Sequence, residues 1–145
     1  MKVFIQNEAW SCVKHSHNEK TFELRGTSQV SRPYPFPYGF VLGTTADDGL
    51  NVDCFVLARQ HLQTGQIVEC DPIGMMEQAE DGKEDHNVLA VMPDERRTLD
   101  IQTMNALTEF VSHVFDHIPG KVIIAGRFLD RQAVLDYVSK HQDSV

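Results

Sequence analysis

Short apolar runs separated by polar turns occupy the first two thirds of the chain, and helical periodicity occupies most of the last third. Seven runs are rich in β-branched and aromatic residues or alternate apolar with polar positions, which predicts strands. These are residues 3–6, 21–25, 40–44, 51–58, 66–76, 87–92 and 122–125. The polar segment 7–19 is typical of an irregular loop, and the acidic segment 77–85 of a hairpin tip.

Two helices are predicted after residue 100. Apolar residues recur at helical spacing over residues 101–118, and Pro119-Gly120 ends that pattern. Asp130 is a suitable N-cap for a second helix over residues 130–141. Strands followed by two helices, without a repeat or a linker, predict a single domain over residues 1–145. The expected fold class is α+β and mainly β: a small antiparallel barrel with both C-terminal helices packed outside it.

Charge and cysteine usage narrow the functional class. The formal net charge of −8 over 145 residues disfavours a nucleic-acid backbone as partner. No stretch is long and apolar enough to span a membrane, and residues 1–10 do not resemble a signal peptide. Cys12, Cys54 and Cys70 are odd in number and lack CxxC spacing, which indicates reduced thiols and predicts a cytoplasmic protein.

Candidate chemistry is concentrated between residues 34 and 85. Tyr34 and Tyr38 lie in a proline-rich segment, and carboxylates follow on turns and strand ends, where side chains from several elements can converge. Carboxylates that are brought together repel one another and remain ionised most easily around a hard cation. Oxygen ligands of this kind suit Mg²⁺, with Mn²⁺ as the alternative.

Two histidine-containing groups offer weaker alternatives. Cys12, His15 and His17 have ligand types that bind zinc, but a fourth ligand is missing nearby, so a solvated loop is favoured. His113 and His117 are four residues apart on the first predicted helix. The zincin pattern needs a glutamate after the first histidine, and Val114 is there instead, which favours surface or packing roles.

Several motifs, in this order, resemble those of the soluble (family I) inorganic pyrophosphatases. Residues 34–40, Tyr-Pro-Phe-Pro-Tyr-Gly-Phe, resemble the family's Tyr-Pro-x-Asn-Tyr-Gly-Tyr. Residues 48–53, Asp-Gly-Leu-Asn-Val-Asp, resemble its Asp-Gly-Asp-Pro-x-Asp. Residues 72–76 resemble its Pro-[Ile/Val]-Gly-x-[Leu/Met] segment, and residues 84–91 its Asp-x-Lys strand. The ordered set, more than any single piece, identifies the chain as a divergent member.

The resemblance implies a five-stranded, OB-like barrel and Mg²⁺-dependent hydrolysis of diphosphate to two phosphates. By position, four carboxylates match metal ligands: Asp48, Asp53, Glu80 and Asp85, with Asp81 beside Glu80. Among these, Asp48 and Asp53, together with Tyr38, match catalytic positions. The implied substrate-binding positions are Glu23, Arg32, Tyr34 and Tyr38.

The departures from the family pattern affect catalysis most. The signature's middle aspartate, which helps activate the attacking water, is Leu50 here, and the lysine of the Asp-x-Lys strand is Asn87. The family's Tyr-Lys pair after the long helix is replaced by Ile118-Pro119, and its lysine before the strand glutamate by Thr21. Its phosphate-binding arginine has only Arg32 and Arg25 as candidates.

Two functional classes therefore remain open from sequence. The first is an enzyme, either a diphosphatase with weak or altered activity or a hydrolase of another phosphorylated small molecule. The second is a non-catalytic relative that binds a metal or an anion, or serves as an interaction partner. Self-association into a homo-oligomer is also expected from the resemblance.

Overall fold

The computed structural model describes residues 1–144, which form a mainly-β unit with two helices. The strands are β1 (Lys2–Asn7), β2 (Val13–His17), β3 (Leu24–Gln29), β4 (Tyr38–Val41), β5 (Asp53–Val56), β6 (Ile67–Glu69), β7 (Asp71–Glu80), β8 (Lys83–Glu84), β9 (Asn87–Val91) and β10 (Ile123–Leu129). The helices are α1 (Ile101–His113), between β9 and β10, and α2 (Arg131–Lys140), after β10. The predicted mainly-β class with two helices is confirmed.

The main sheet is open, so "barrel" describes it only approximately. Its strand order is β10-β7-β9-β5-β4-β1-β6, with β8 paired to β7, while β2 and β3 form a separate two-stranded hairpin. The neighbours β5 and β9 run parallel, whereas the other adjacent pairs in that order are antiparallel. The sheet therefore departs from a fully antiparallel arrangement at its centre.

Alternation along the central strands builds two apolar clusters. On β5, Cys54 and Val56 pack in one cluster, which also contains Val134 and Val138 of α2. The other cluster contains Phe55 of β5 and Leu57, which comes just after that strand. It also contains Leu107 and Phe110 of α1. Because successive side chains of a strand point to opposite faces, the two helices cover opposite sides of the central strands.

Several elements differ from their predicted bounds. The predicted strand 66–76 is divided into β6 and β7, β7 continues to Glu80, and the last strand runs on to Leu129. Residues 13–17 form β2, where an irregular loop was predicted, because polar His17 is buried against the ring of Phe4 at 5.0 Å between centroids. The second predicted strand begins later, at Leu24. Helix α1 ends at His113, and the predicted remainder forms turns whose bonds link residues three apart, such as Ile118 N–H to the Phe115 carbonyl.

The helix starts agree with the capping rule. Asp130 is the N-cap of α2, and its carboxylate accepts a hydrogen bond from Ala133 N–H at 3.0 Å, which confirms its predicted role. Asp100 caps α1 in the same way through Thr103 N–H at 2.8 Å. Neither helix in the described part of the chain has the length and apolar content needed to cross a membrane.

Candidate active site

The parallel pairing of β5 with β9 brings two predicted carboxylates together. Asp53, the first residue of β5, is in register with Asn87, the first residue of β9. Asp85 lies two residues before Asn87, in the turn that leads into β9. The carboxyl groups of Asp53 and Asp85 lie close enough that, beyond the effect of burial, Asp85 raises the pKa of Asp53. Both therefore lie at the same end of the two strands.

These two carboxyl groups oppose each other's ionisation. Burial raises the pKa of Asp53 well above its ordinary value, and the neighbouring Asp85 raises it further. Burial also raises the pKa of Asp85. Tyr38 lies at the start of β4, and burial, followed by the charges of Asp53 and Asp85, raises its phenol pKa. The group is strongly anionic whenever both acids are ionised.

Glu80 extends this acidic group at the end of β7. The turn between β7 and β8 places Asp81 and Gly82 in the left-handed region, with φ of 51° and 83°, so that the chain reverses tightly. Glu80 forms an ion pair with Lys121 Nζ and lies beside Asp85 in the same cavity lining. Burial opposes ionisation of Glu80, but the contacts with Lys121 and Asp85 leave its pKa below the ordinary value.

Asp48 lies at the edge of the same region, on an exposed turn. One carboxylate oxygen accepts a hydrogen bond from Leu50 N–H at 2.9 Å, and Gly49 has φ of 85°, so Asp48 stabilises its own turn. It also lines a cavity of about 230 Å³ with Glu80, Asp81 and Asp85. Leu50, at the family's base position, is 54% exposed.

The donor types of this group fit a hard divalent cation. Its oxygens come from Asp53, Asp85, Glu80 and Asp48, and two of these acids carry raised pKa values because they are crowded and buried. A cation would relieve that repulsion. In residues 1–144, no three His, Cys, Asp or Glu side chains are already arranged around one ion position. Within the same described range, Cys12, His15 and His17 likewise form no such group.

A small buried cavity adjoins the carboxylates. It measures about 60 Å³ and is lined by Tyr34, Tyr38, Gln78 and Asn87, among others. Asn87 is 1% exposed, and its Nδ2 donates to Gln78 Oε1 at 2.9 Å, while its Oδ1 has no partner among the described residues. The residue that replaces the family's lysine is therefore a neutral amide with a free acceptor.

The remaining predicted site residues lie in different places. Tyr34 is buried in the aromatic cluster, 5.6 Å from Tyr38 between ring centroids. Glu23 is exposed in the turn before β3 and does not line the carboxylate cavities described above. The Arg32 guanidinium is 3.7 Å from Glu109 of α1, and Arg25 is exposed on β3. The structure groups Tyr34 and Tyr38 with the carboxylates and leaves Glu23 and Arg32 outside that group.

Two lysines near the site were missed by the sequence analysis. Lys14 Nζ lies 4.8 Å from the ring centroid of Phe115, and Lys121 Nζ lies 5.0 Å from the same centroid. Lys14 lies on β2, within the segment interpreted as a loop, so no pattern pointed to it. Lys121 follows the Pro119-Gly120 helix stop, and that reversal of the chain was the only available signal.

Comparison with known proteins finds relatives of one family. The inorganic pyrophosphatase family profile matches residues 3–119. An inorganic pyrophosphatase of Aquifex pyrophilus is 34% identical over 118 residues, which cover 74% of this chain and 66% of that protein. One from Saccharolobus solfataricus is 30% identical over 125 residues, or 81% of this chain and 73% of that protein. The chain thus spans just under two thirds of the Aquifex relative.

Solved structures show the same fold. A structure titled as an inorganic phosphatase from Anaplasma phagocytophilum superposes with a TM-score of 0.89 at 25% identity, covering 97% of this chain and 90% of that one. An inorganic pyrophosphatase from Coxiella burnetii gives a TM-score of 0.88 at 24% identity, covering 97% and 92%.

Proposed function

Because this chain belongs to the inorganic pyrophosphatase family, we propose that it binds diphosphate together with Mg²⁺ and hydrolyses it slowly. The observation that carries the proposal is the half-buried pair of Asp53 and Asp85, whose carboxyl pKa values are both raised, with Tyr38 and Glu80 beside it. A soluble domain gains no stability from packing like charges this way unless a cation offsets them. Mn²⁺ is the alternative ion for the same oxygen ligands.

Each side chain has a role that follows from its position. Asp53 and Asp85 hold the cation from the strand ends, and Asp48 and Glu80 complete the ligand set from the neighbouring turns. Mg²⁺ bound to these residues supplies Lewis acidity toward phosphate oxygens. Tyr38, un-ionised because its pKa is raised by burial, keeps its O–H available to donate a hydrogen bond. Lys14 and Lys121 bring positive charge to the opposite side of the cavity.

The slow rate follows from the residues that were replaced. Leu50 cannot accept a proton, and a positioned general base is typically worth about 10²–10⁴ in rate. Asn87 brings no charge, Ile118 and Pro119 bring neither charge nor a donor, and Lys121 is already paired with Glu80. A preorganised donor to developing charge is worth about 10²–10³. These losses need not add, since such residues act as a unit.

A non-catalytic role in binding a metal or an anion is the second candidate. The observation that favours it is the exposure of Leu50, which presents an isobutyl group where the family mechanism needs a carboxylate. Under this alternative, diphosphate and Mg²⁺ still bind at the same residues, but no phosphate is released. We further propose that the protein acts in the cytoplasm and self-associates, without a nucleic-acid or membrane partner.

Phosphate release from diphosphate, measured with Mg²⁺ and with a chelator, tests the proposal. We expect release that depends on Mg²⁺ at a rate at least about 10²-fold below that of an ordinary family member. The Asp53→Asn variant, purified in parallel, controls for contaminating host enzyme and should be inactive. No release above that control favours the binding role, and a turnover in the family's normal range refutes the argument from Leu50.

A further inference from the structure

We propose that the cavity between the β2–β3 hairpin and the turn after α1 binds the hydroxylated organic group of a phosphorylated substrate. We call it the hairpin cavity. It is lined by Lys14, Ser16, Thr27, Ser28, Gln29 and Ile118, and also by Phe115 and Lys121. This inference rests on the proposed function, because it places a ligand phosphate at Lys14 and Lys121 beside the metal-binding carboxylates. It extends the ligand class from diphosphate to phosphorylated molecules that carry a hydroxylated organic group.

The hairpin cavity adjoins the carboxylate site. Lys14 and Phe115 line both the hairpin cavity and the small cavity that Glu80 and Asp85 also line. Lys121 lines the hairpin cavity and pairs with Glu80. A phosphate bound near Lys14 and Lys121 would therefore lie close to both the carboxylates and the hairpin cavity.

The volumes of the two cavities indicate which ligand each can hold. The small cavity measures about 60 Å³, which leaves room for a few water molecules and no organic group. The hairpin cavity measures about 460 Å³, within the roughly 300–1,000 Å³ typical of small-molecule sites. An inorganic phosphate at the lysines would leave most of that space to solvent.

The lining chemistry suits a sugar-like group. Ser16, Thr27 and Ser28 present hydroxyls, and Gln29 presents an amide, so that donors and acceptors are both available for ligand hydroxyls. Ile118, 42% exposed, provides an apolar surface for a carbon skeleton. Inorganic diphosphate has neither hydroxylated carbons nor a carbon skeleton, so it would use none of these groups.

Gly26 and Ile118, which both line the hairpin cavity, leave part of it open. Gly26 has no heavy atom within 4 Å of where a Cβ would lie, so any longer side chain there would project without a clash at its base. Ile118 stands where the family has the tyrosine of its Tyr-Lys pair. Without the family's Tyr-Lys pair at residues 118–119, a second phosphate is bound less tightly, and an organic group has room at the same place.

The test compares ribose 5-phosphate with inorganic phosphate by isothermal titration calorimetry in Mg²⁺, using ligands that contain no anhydride to be hydrolysed. We expect ribose 5-phosphate to bind at least about 10-fold more tightly than inorganic phosphate, the gain of roughly one to two hydrogen bonds. Free ribose, which lacks the phosphate, should bind far more weakly than either.

Three variants sharpen the test. Thr27→Phe fills the hairpin cavity and should remove the 10-fold preference while leaving the affinity for inorganic phosphate unchanged. Leu24→Phe, on the same strand but outside the cavity, is the matched control and should keep the preference. Gly26→Arg should weaken ribose 5-phosphate binding and strengthen that of inorganic phosphate, because it exchanges space for charge.

The outcomes separate this inference from the proposed function. Equal affinities for ribose 5-phosphate and inorganic phosphate would overturn the inference and leave the proposed function standing. Loss of both ligands to the same degree in Thr27→Phe would also overturn it. No binding of either ligand or of diphosphate in Mg²⁺ would remove both proposals.

Discussion

The carboxylate side and the hairpin side of the site are built on different parts of the fold. Asp53, Asp85 and Glu80 lie at the ends of β5, β9 and β7, and every residue of β9 is buried. Lys14 belongs to the β2–β3 hairpin, which lies outside the main sheet, and every residue of β3 is exposed. The acidic half is therefore fixed by the core, while the cationic half is held at the surface.

This difference bears on which positions depart from the family pattern. Asp53 begins β5 and Asp85 lies just before β9, so the packed strands hold both side chains in place, and a substitution there would remove a proposed metal ligand. A substitution at an exposed turn or hairpin usually costs less than about 0.5 kcal/mol. Leu50, Ile118 and Pro119 are all exposed, so these positions were free to change, whereas Asn87, which the resemblance places at the family's lysine, is a buried replacement on the carboxylate side.

The largest effect should come from restoring the missing base and charge together. Leu50→Asp alone should restore little activity, because the departing phosphate would still lack a neutralising group. Leu50→Asp combined with Asn87→Lys should raise the Mg²⁺-dependent rate of phosphate release by about 10²-fold over wild type. The same pair with Asp53→Asn added is the inactive control. A full gain from Leu50→Asp alone would show that the hairpin side already neutralises the leaving group.

A smaller effect is expected at Lys121, where the carboxylate side and the hairpin side meet. Lys121→Met removes the ammonium that joins Glu80 to the hairpin cavity, so affinity for inorganic phosphate should fall about 10-fold, as for a lost charge-assisted bond. Affinity for Mg²⁺ should rise severalfold, because Glu80 is released. Both are measured by calorimetry, with Lys20→Met as control, since Lys20 forms a surface pair with Asp143 at 3.7 Å. An unchanged phosphate affinity would place the anion elsewhere.

The smallest effect concerns the stability of metal-free protein. The pKa of Asp53 is raised in the folded state, so the folded protein binds its proton more tightly than the unfolded chain does. Its contribution to stability is therefore present at low pH and lost as the pH rises above about 4, the unfolded value. In chelator, Asp53→Asn should melt a few degrees above wild type at neutral pH, and this difference should shrink toward pH 4. A difference that does not vary with pH would argue against a buried acid pair.

The sequence predicted the individual core strands and helices better than it predicted how the strands pair. The β-formers of β5 and the apolar run of β9 identified both strands, and Asp130 marked the start of α2, because these signals are local. The parallel pairing of β5 with β9 depends on the whole sheet, and it is this register that sets Asp53 beside Asp85. The five-residue offset between Asp48 and Asp53 gave no means to foresee it.

The hairpin side could not be predicted from the sequence, because its residues are mostly polar and show no strand pattern. Residues 13–17 of β2 carry a lysine and two histidines, and only contact with Phe4 shows why His17 is buried there. Lys14 therefore falls in a segment predicted as a loop, and the sequence pattern does not relate Lys14 or Lys121 to the carboxylates. Ion pairs such as Lys121 with Glu80 join residues 41 positions apart and have no sequence signature.

The melting temperature of wild-type protein with and without Mg²⁺ tests most directly whether the carboxylate side is a metal site. Ligand at ten times its dissociation constant stabilises a folded protein by about 1.4 kcal/mol. For a chain of this size, that corresponds to a rise of about 3–6 °C. We expect this rise for wild type in Mg²⁺ or Mn²⁺, and little or none for Asp53→Asn. A wild-type melting temperature unchanged by millimolar Mg²⁺ and Mn²⁺ would contradict the account.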